Sequence, residues 1–189
     1  MIFNAGANYN LLMSDVLRTE SKAEAMGART SGWPASAGAA EVVLQQMAPN
    51  AEMLAYCHDL ARSNMQPYQA KRGHVWDSHA WYEKNRTEST LYRILAGGKL
   101  AGFLSTNANR YSTPSLHIGD IQLQPECCGF GIGAAALSAL CDIAAQSPAG
   151  CREITLNVFY DNPAHRLYER VGFVEVSFDG NKIRMSKAL

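Results

Sequence analysis

No charge of one sign dominates this sequence: Lys and Arg together number 17, Asp and Glu together number 17, and the formal net charge is zero. A nucleic-acid groove or an anionic membrane surface calls for a basic excess, so neither is expected as the main partner. No apolar run approaches the roughly 18 residues of a membrane-crossing helix. Met1–Asn10 place no positive charge ahead of their few apolar residues, unlike a secretory signal. Paired short spacings of Cys or His are missing as well, so no metal site is expected. The cysteines (Cys57, Cys127, Cys128, Cys141, Cys151) are 5, an odd number, in a chain long enough to bury a full core without staples. Reduced thiols and a cytoplasmic location are the expectation.

What remains is an ordinary globular composition, 189 residues with 47% hydrophobic and 18% charged. Residues 1–40 differ from the rest: Ala25–Ala40 is small, polar and without periodicity, and only Leu11–Ala25 offers a short helix. This stretch reads as an N-terminal extension, and the domain proper as residues 41–189. Glu41–Met47 is predicted as a strand. Asn50 then caps a helix at Ala51, whose Met53, Leu54, Cys57, Leu60 and Ala61 recur at helical spacing to about Asn64. A second helix is predicted to contain Trp76 and Trp81. Gly97-Gly98 closes a hairpin between Leu91–Ala96 and Leu100–Asn107. Leu116–Leu123 is a further strand, with His117, Gly119, Ile121 and Leu123 alternating against Ile118, Asp120 and Gln122, so His117 and Asp120 are expected on opposite faces. A helix follows over Gly131–Gln146, ended by Ser147-Pro148-Ala149-Gly150, and then a strand over Glu153–Val158. Asn162 N-caps a helix with Pro163 at its first position and Gly172 at its end. A last hairpin, Phe173–Phe178 with Lys182–Lys187, turns at Asp179-Gly180-Asn181. Hairpins with two helical crossovers make the class α+β with a mixed sheet.

Chemistry concentrates in Ile121–Leu137, IQLQPECCGFGIGAAAL. Glycines at 129, 131 and 133 let backbone N–H groups crowd toward one point at a helix start, where the helix dipole adds to their attraction for an anion, most simply a pyrophosphate. Glycines also serve tight turns, so the loop alone specifies little. A dinucleotide-binding fold fits poorly, because the glycines come two-thirds along the chain and no acidic residue closes a strand about 20 residues on. A nucleotide P-loop is excluded by Ala134 and Ala135 where its Lys and Ser/Thr would stand.

The second informative segment is Leu156–Phe173, LNVFYDNPAHRLYERVGF. Together and in this order, the two segments resemble the GNAT superfamily of acyl-CoA-dependent N-acyltransferases. The resemblance is close over Leu91–Leu189 and loose over Glu41–Trp81; residues 1–40 lie outside it. It implies a mostly antiparallel mixed sheet of six to seven strands with about four helices, acetyl-CoA as co-substrate, an amine acceptor that is a small molecule or a peptide, and dimers, which are common in that family. Residue by residue, it implies that the Leu123 backbone holds the pantetheine arm as an added strand. It further implies that the amides of Gly129, Phe130, Gly131, Ile132, Gly133 and Ala134 hold the pyrophosphate, that Asn162 contacts the cofactor arm, and that Tyr168 points its hydroxyl at the sulfur. Cys128 stands where such loops usually carry Gln or Arg, which implies weaker CoA binding and is the feature favouring a non-catalytic CoA-binding module.

An alkylammonium of pKa near 10.4 must lose a proton before attack, at a cost of about 4 to 5 kcal/mol at pH 7. Tyr168 is the candidate acid for the leaving thiolate. His117 is the candidate base, at the place on the strand where some family members carry glutamate; water is its rival. Cys127-Cys128 invites an acyl-cysteine reading, but no His is placed by sequence to activate it, and direct transfer needs none. On the acceptor side, Tyr68, Trp76 and Trp81 are candidates to line the amine site through stacking or cation–π contact, against the plainer reading as packing residues. Lys71-Arg72 reads as a solvated corner.

Overall fold

The computed structural model describes residues 41–48, 50–108, 115–147 and 150–189; the extension and its expected helix lie outside the described residues. Among the described residues, seven strands form one sheet in the order β1-β2-β3-β4-β5-β7-β6. They are β1 (Val42–Met47), β2 (Thr90–Ala96), β3 (Lys99–Ala108), β4 (Ser115–Leu123), β5 (Glu153–Phe159), β6 (Val174–Phe178) and β7 (Lys182–Ala188). Among the described residues there are four α-helices, α1 (Ala51–Ala70), α2 (Ser78–Thr87), α3 (Ile132–Ala145) and α4 (His165–Val171), and none is long and apolar enough to cross a membrane. Every strand pair is antiparallel except β4 with β5. The α+β class and the mixed, mostly antiparallel sheet are as the sequence predicts.

Local chemistry sets most boundaries. Asn50 Oδ1 accepts from the Met53 amide at 2.8 Å and starts α1. Gly97 and Gly98 both take positive φ, 54° and 76°, as a tight hairpin requires. Gly172 ends α4 at φ 94°, with the Phe173 amide donating back to the Tyr168 carbonyl at 3.0 Å.

Three boundaries differ from expectation. Helix α1 runs to Ala70, six residues past Asn64 and through Pro67, because tertiary contacts carry its last turns: Asn64 bonds to β4, and Tyr68 stacks on Phe159 at 6.1 Å. Trp76 lies before α2, since Asp77 is the cap, its Oδ1 accepting from Ala80 N at 2.9 Å; only Trp81 is helical. Asn162 caps a lead-in turn through Ala164 N at 2.9 Å, and α4 itself begins at His165.

Helices cover both faces of the sheet. On one, Leu54, Cys57 and Ala61 of α1 pack on Leu91 and Phe103. On the other, Ile132, Leu137 and Leu140 of α3 are buried to within 1% of their surface, and Leu123 reaches toward Gly133. Strands β3 and β4 approach so closely at Gly102 that a Cβ there would meet the Gln122 carbonyl oxygen at 2.0 Å. Gly102→Ala is therefore expected to destabilise the fold by at least about 2 kcal/mol, or about 4–8 °C in Tm by calorimetry. An unchanged Tm would mean that the two strands are not held this tightly.

Candidate active site

The parallel pairing of β4 and β5 spans only Ser115–Ile118 against Glu153–Leu156. Beyond it the two strands have no pairing with each other, so Gly119–Leu123 and Asn157–Phe159 leave a notch in the sheet. The Gln124 amide donates to the Ala101 carbonyl at 2.9 Å, next to the Leu123–Gly102 pair. In an antiparallel ladder this makes Leu123 a non-hydrogen-bonded position, with its own N–H and C=O directed away from β3 and into the notch. Ile121, two residues back, has the same orientation. The Leu123 carbonyl is already engaged by Asn64 Nδ2 at 3.1 Å, which also donates to Gln122 Oε1 at 3.1 Å.

A single 3₁₀ turn, Pro125–Cys127, leads from β4 into the glycine loop. Gly129 and Gly131 have φ of 85° and 80°, and a Cβ at either would meet nothing within 4 Å, so the loop is open. The α3 ladder begins with Ala135 N donating to the Gly131 carbonyl at 3.0 Å. The amides of Ile132, Gly133 and Ala134 ahead of it are those a helix start leaves without internal acceptors. Gly133 has a second role: its Cβ would lie 3.0 Å from Leu167 Cδ2, so its lack of a side chain lets α4 pack against α3. No basic side chain belongs to the loop, and Cys128 is exposed with its thiol turned back to the Gln124 carbonyl at 3.6 Å. Burial pushes the fully buried Cys127 thiol up to about 11, leaving about one thiolate in ten thousand at pH 7, too few for a ready nucleophile. Asn162 keeps its Oδ1 on Ala164 N.

Tyr168 is buried, edge-on to Phe173 at 6.0 Å. Burial first, and the charge of Asp120 second, push its phenol well above the ordinary tyrosine range, so it stays protonated. The reach of Asp120 toward Tyr168 reveals a feature that sequence alternation misplaces. Ser105 and Asn107 share a face of β3, and their partners on β4 are Asp120 and His117. A register shift between those pairs leaves Gly119 as the extra residue of a β-bulge, which breaks the alternation and brings His117 and Asp120 to the same face. The expected opposition of the two is thus incorrect. His117 Nδ1 pairs with Thr155 Oγ1 at 2.9 Å, and burial, then Lys84 and Arg184, hold its imidazole below the ordinary range and hence neutral at pH 7. Burial raises the Asp120 carboxyl, while Lys84, Gln122, the Trp81 indole and Ser105 draw it back.

A cavity of about 540 Å³ lies between the α1–α2 connection and the β6–β7 turn. Trp76 and Trp81 line it, whereas Tyr68 is not among the lining residues and stacks on one of them, Phe159. Trp76 is fixed by its indole N–H, which donates to His58 Nε2 at 3.0 Å. The His58 ring also lies 2.9 Å from Asp59 Oδ1 through Nδ1 and 2.9 Å from Ser78 Oγ through Nε2. Arg72 is no solvated corner. Its side chain is 9% exposed, pairs with Asp161 at 2.9 Å and lies 4.4 Å over the Phe159 ring. At the surface, His165 Nε2 meets Glu175 Oε1 at 2.7 Å, and its Nδ1 lies 3.9 Å from Glu169 Oε2, a grouping the sequence spacing did not bring out.

Known proteins share this architecture. Arabidopsis thaliana NAA60, solved in complex with a bisubstrate analogue, matches with TM-score 0.59 and 15% identity over 78% of this chain and 98% of that one. The PaiA N-acetyltransferase of Thermoplasma acidophilum, solved with coenzyme A, matches with TM-score 0.58 and 17% identity over 78% and 99%. Spermidine N-acetyltransferase of Vibrio cholerae, solved with CoA and spermine, gives TM-score 0.58 and 20% identity over 77% and 95%. A search of curated protein sequences returns no match. The Acetyltransferase (GNAT) family model matches residues 54–173, which hold the notch, the open glycine loop and Tyr168, and the chain belongs to the GNAT acetyltransferase family.

Proposed function

We propose that the protein transfers an acetyl or other short acyl group from acetyl-CoA to a primary amine by direct attack in a ternary complex. The observation that carries this reading is the notch between β4 and β5, with the inward-directed Leu123 and Ile121 backbone on one side and the open amide loop at its end. A pantetheine arm is a chain of amides and methylenes, and it can add to β4 where β5 has departed. The loop amides and the α3 dipole then take the diphosphate without a basic side chain. Tyr168 gives its proton to the departing thiolate as the C–S bond breaks and the C–N bond forms. The acceptor's own surplus proton passes to His117, directly or through water.

Tyr168→Phe should lower kcat at least tenfold with the Kd for CoA unchanged, measured by amine-dependent thiol release and by calorimetry. Unchanged turnover would remove Tyr168 from the acid role.

The base must be unprotonated to work, so activity should rise with pH through the His117 titration, centred below about 6.5 because its imidazole is held low. His117→Ala should abolish that acid limb of the kcat/KM profile. A second assignment is favoured by the shared face: if the limb survives in His117→Ala and vanishes in Asp120→Asn, the raised carboxyl of Asp120 is the base.

A CoA-binding module without turnover is the rival reading, and the loop's lack of a basic group favours it. Cys128→Arg should tighten CoA about fivefold by adding one charge-assisted phosphate contact, read as a lower Kd. Tight CoA binding with no thiol release across a broad amine panel would establish the module instead.

A further inference from the structure

The cavity beside Trp76 carries both signs of charge, but the two signs are not equally available. Its carboxylates are Asp77 and Asp179. Asp77 Oδ1 caps α2 through Ala80 N at 2.9 Å. Asp179 Oδ1 accepts from Asn181 N at 2.8 Å and from Lys182 N at 2.7 Å, contacts that hold its carboxyl below the usual range. Both carboxylates already serve the local backbone. Of the cations, Arg72 is matched by Asp161 at 2.9 Å. Lys84 and Lys182 are different: among the described residues neither forms an ion pair within 4 Å. Lys182 Nζ lies 4.9 Å over the Phe159 ring at the β6–β7 end of the cavity. Lys84 Nζ is at the β4 end, 3.5 Å from where a Gly119 Cβ would stand and close enough to act on both His117 and Asp120.

We infer that the acceptor is an amine that also carries an anionic group, with Lys182 as the residue that selects for it; this rests on the acyl-transfer reading above. The reacting nitrogen belongs at the β4 end, beside His117, Asp120 and the notch. The rest of the acceptor then extends along Trp76 and Phe159 toward the Lys182 ammonium, whose neighbour Asp179 acts on it from beyond 4 Å and is held by the Asn181 and Lys182 amides. A carboxylate there gains a charge-assisted contact. A second ammonium at the far end, as in a polyamine, would meet the like charge of Lys182, while the Asp179 carboxylate there is turned to the backbone amides of Asn181 and Lys182. The acceptor class is therefore separated from that of a spermidine acetyltransferase by repulsion as well as by attraction.

The test uses the full chain with acetyl-CoA and four acceptor types at low salt, following thiol release. They are 6-aminohexanoate, its decarboxylated counterpart pentylamine, a C-terminally amidated peptide with Asp at its second position, and spermidine. The expected result is a kcat/KM for 6-aminohexanoate or for the acidic peptide at least tenfold above that for pentylamine and for spermidine. Which of the two anionic acceptors leads distinguishes a free amino acid from a peptide. In Lys182→Glu the preference should collapse or reverse through KM, while the Kd for CoA stays the same. A wild-type preference for spermidine or pentylamine, or a Lys182→Glu variant with an unaltered preference, overturns the inference and leaves acyl transfer standing. Absence of thiol release with every amine overturns the transfer reading and this inference with it.

Discussion

The site depends on an interruption: β4 and β5 pair over four residues each and then part. Buried backbone N–H and C=O groups must be satisfied, and a sheet that opens in its middle leaves them facing an empty edge. The chain meets part of this demand itself, since the Asn64 amide reaches from α1 to the Leu123 carbonyl. The remaining edge groups are oriented to pair with an extended, amide-bearing ligand. Parallel strands cannot be joined by a hairpin, and the crossover through α3 places a helix N-terminus immediately beside the opening. Strand edge, open glycine loop and helix dipole are thus consequences of one topological step.

A second irregularity, in the β3–β4 ladder, sets the site's electrostatics. Pairing of β4 with β3 continues past the parting point, but the bulge at Gly119 re-aims the strand so that His117 and Asp120 share a face. A glycine is well suited there, because a Cβ would meet Ser105 Oγ at 2.9 Å. Lys84 in α2 acts on both groups in the same direction, lowering the imidazole and restraining the rise of the buried carboxyl. The phenol of Tyr168, raised by burial and by Asp120, remains a proton donor across the neutral range. The neutral imidazole and the buried carboxyl share a face of β4, and the protonated phenol lies within electrostatic reach of that carboxyl; these are the groups the proposed transfer would use to move one proton off an amine and another onto a thiolate.

Much of this is legible in the sequence, and the exceptions have physical reasons. Caps and turns are local, so Asn50, Gly97-Gly98 and Gly172 announce themselves. The glycine loop is legible because positive φ at 129 and 131 leaves few alternatives to glycine. The end of α1 is not, because Asn64 and Tyr68 hold their turns by contacts with β4 and β5, distant in sequence. The pairing of His117 with Asp120 is obscured by a bulge whose only local sign is a glycine inside a strand, a sign that strict alternation overrides. Arg72 likewise looks solvated beside Lys71, and only the fold brings Asp161 and Phe159 to it.

The central claim is that the notch and the glycine loop together bind coenzyme A through main-chain groups. Backbone amide hydrogen exchange, with and without saturating CoA, tests it most directly. The account predicts that protection rises at Ile121 and Leu123 and across Gly129–Ala134. Protection confined to other segments, or no change at these amides while CoA is demonstrably bound, would contradict it.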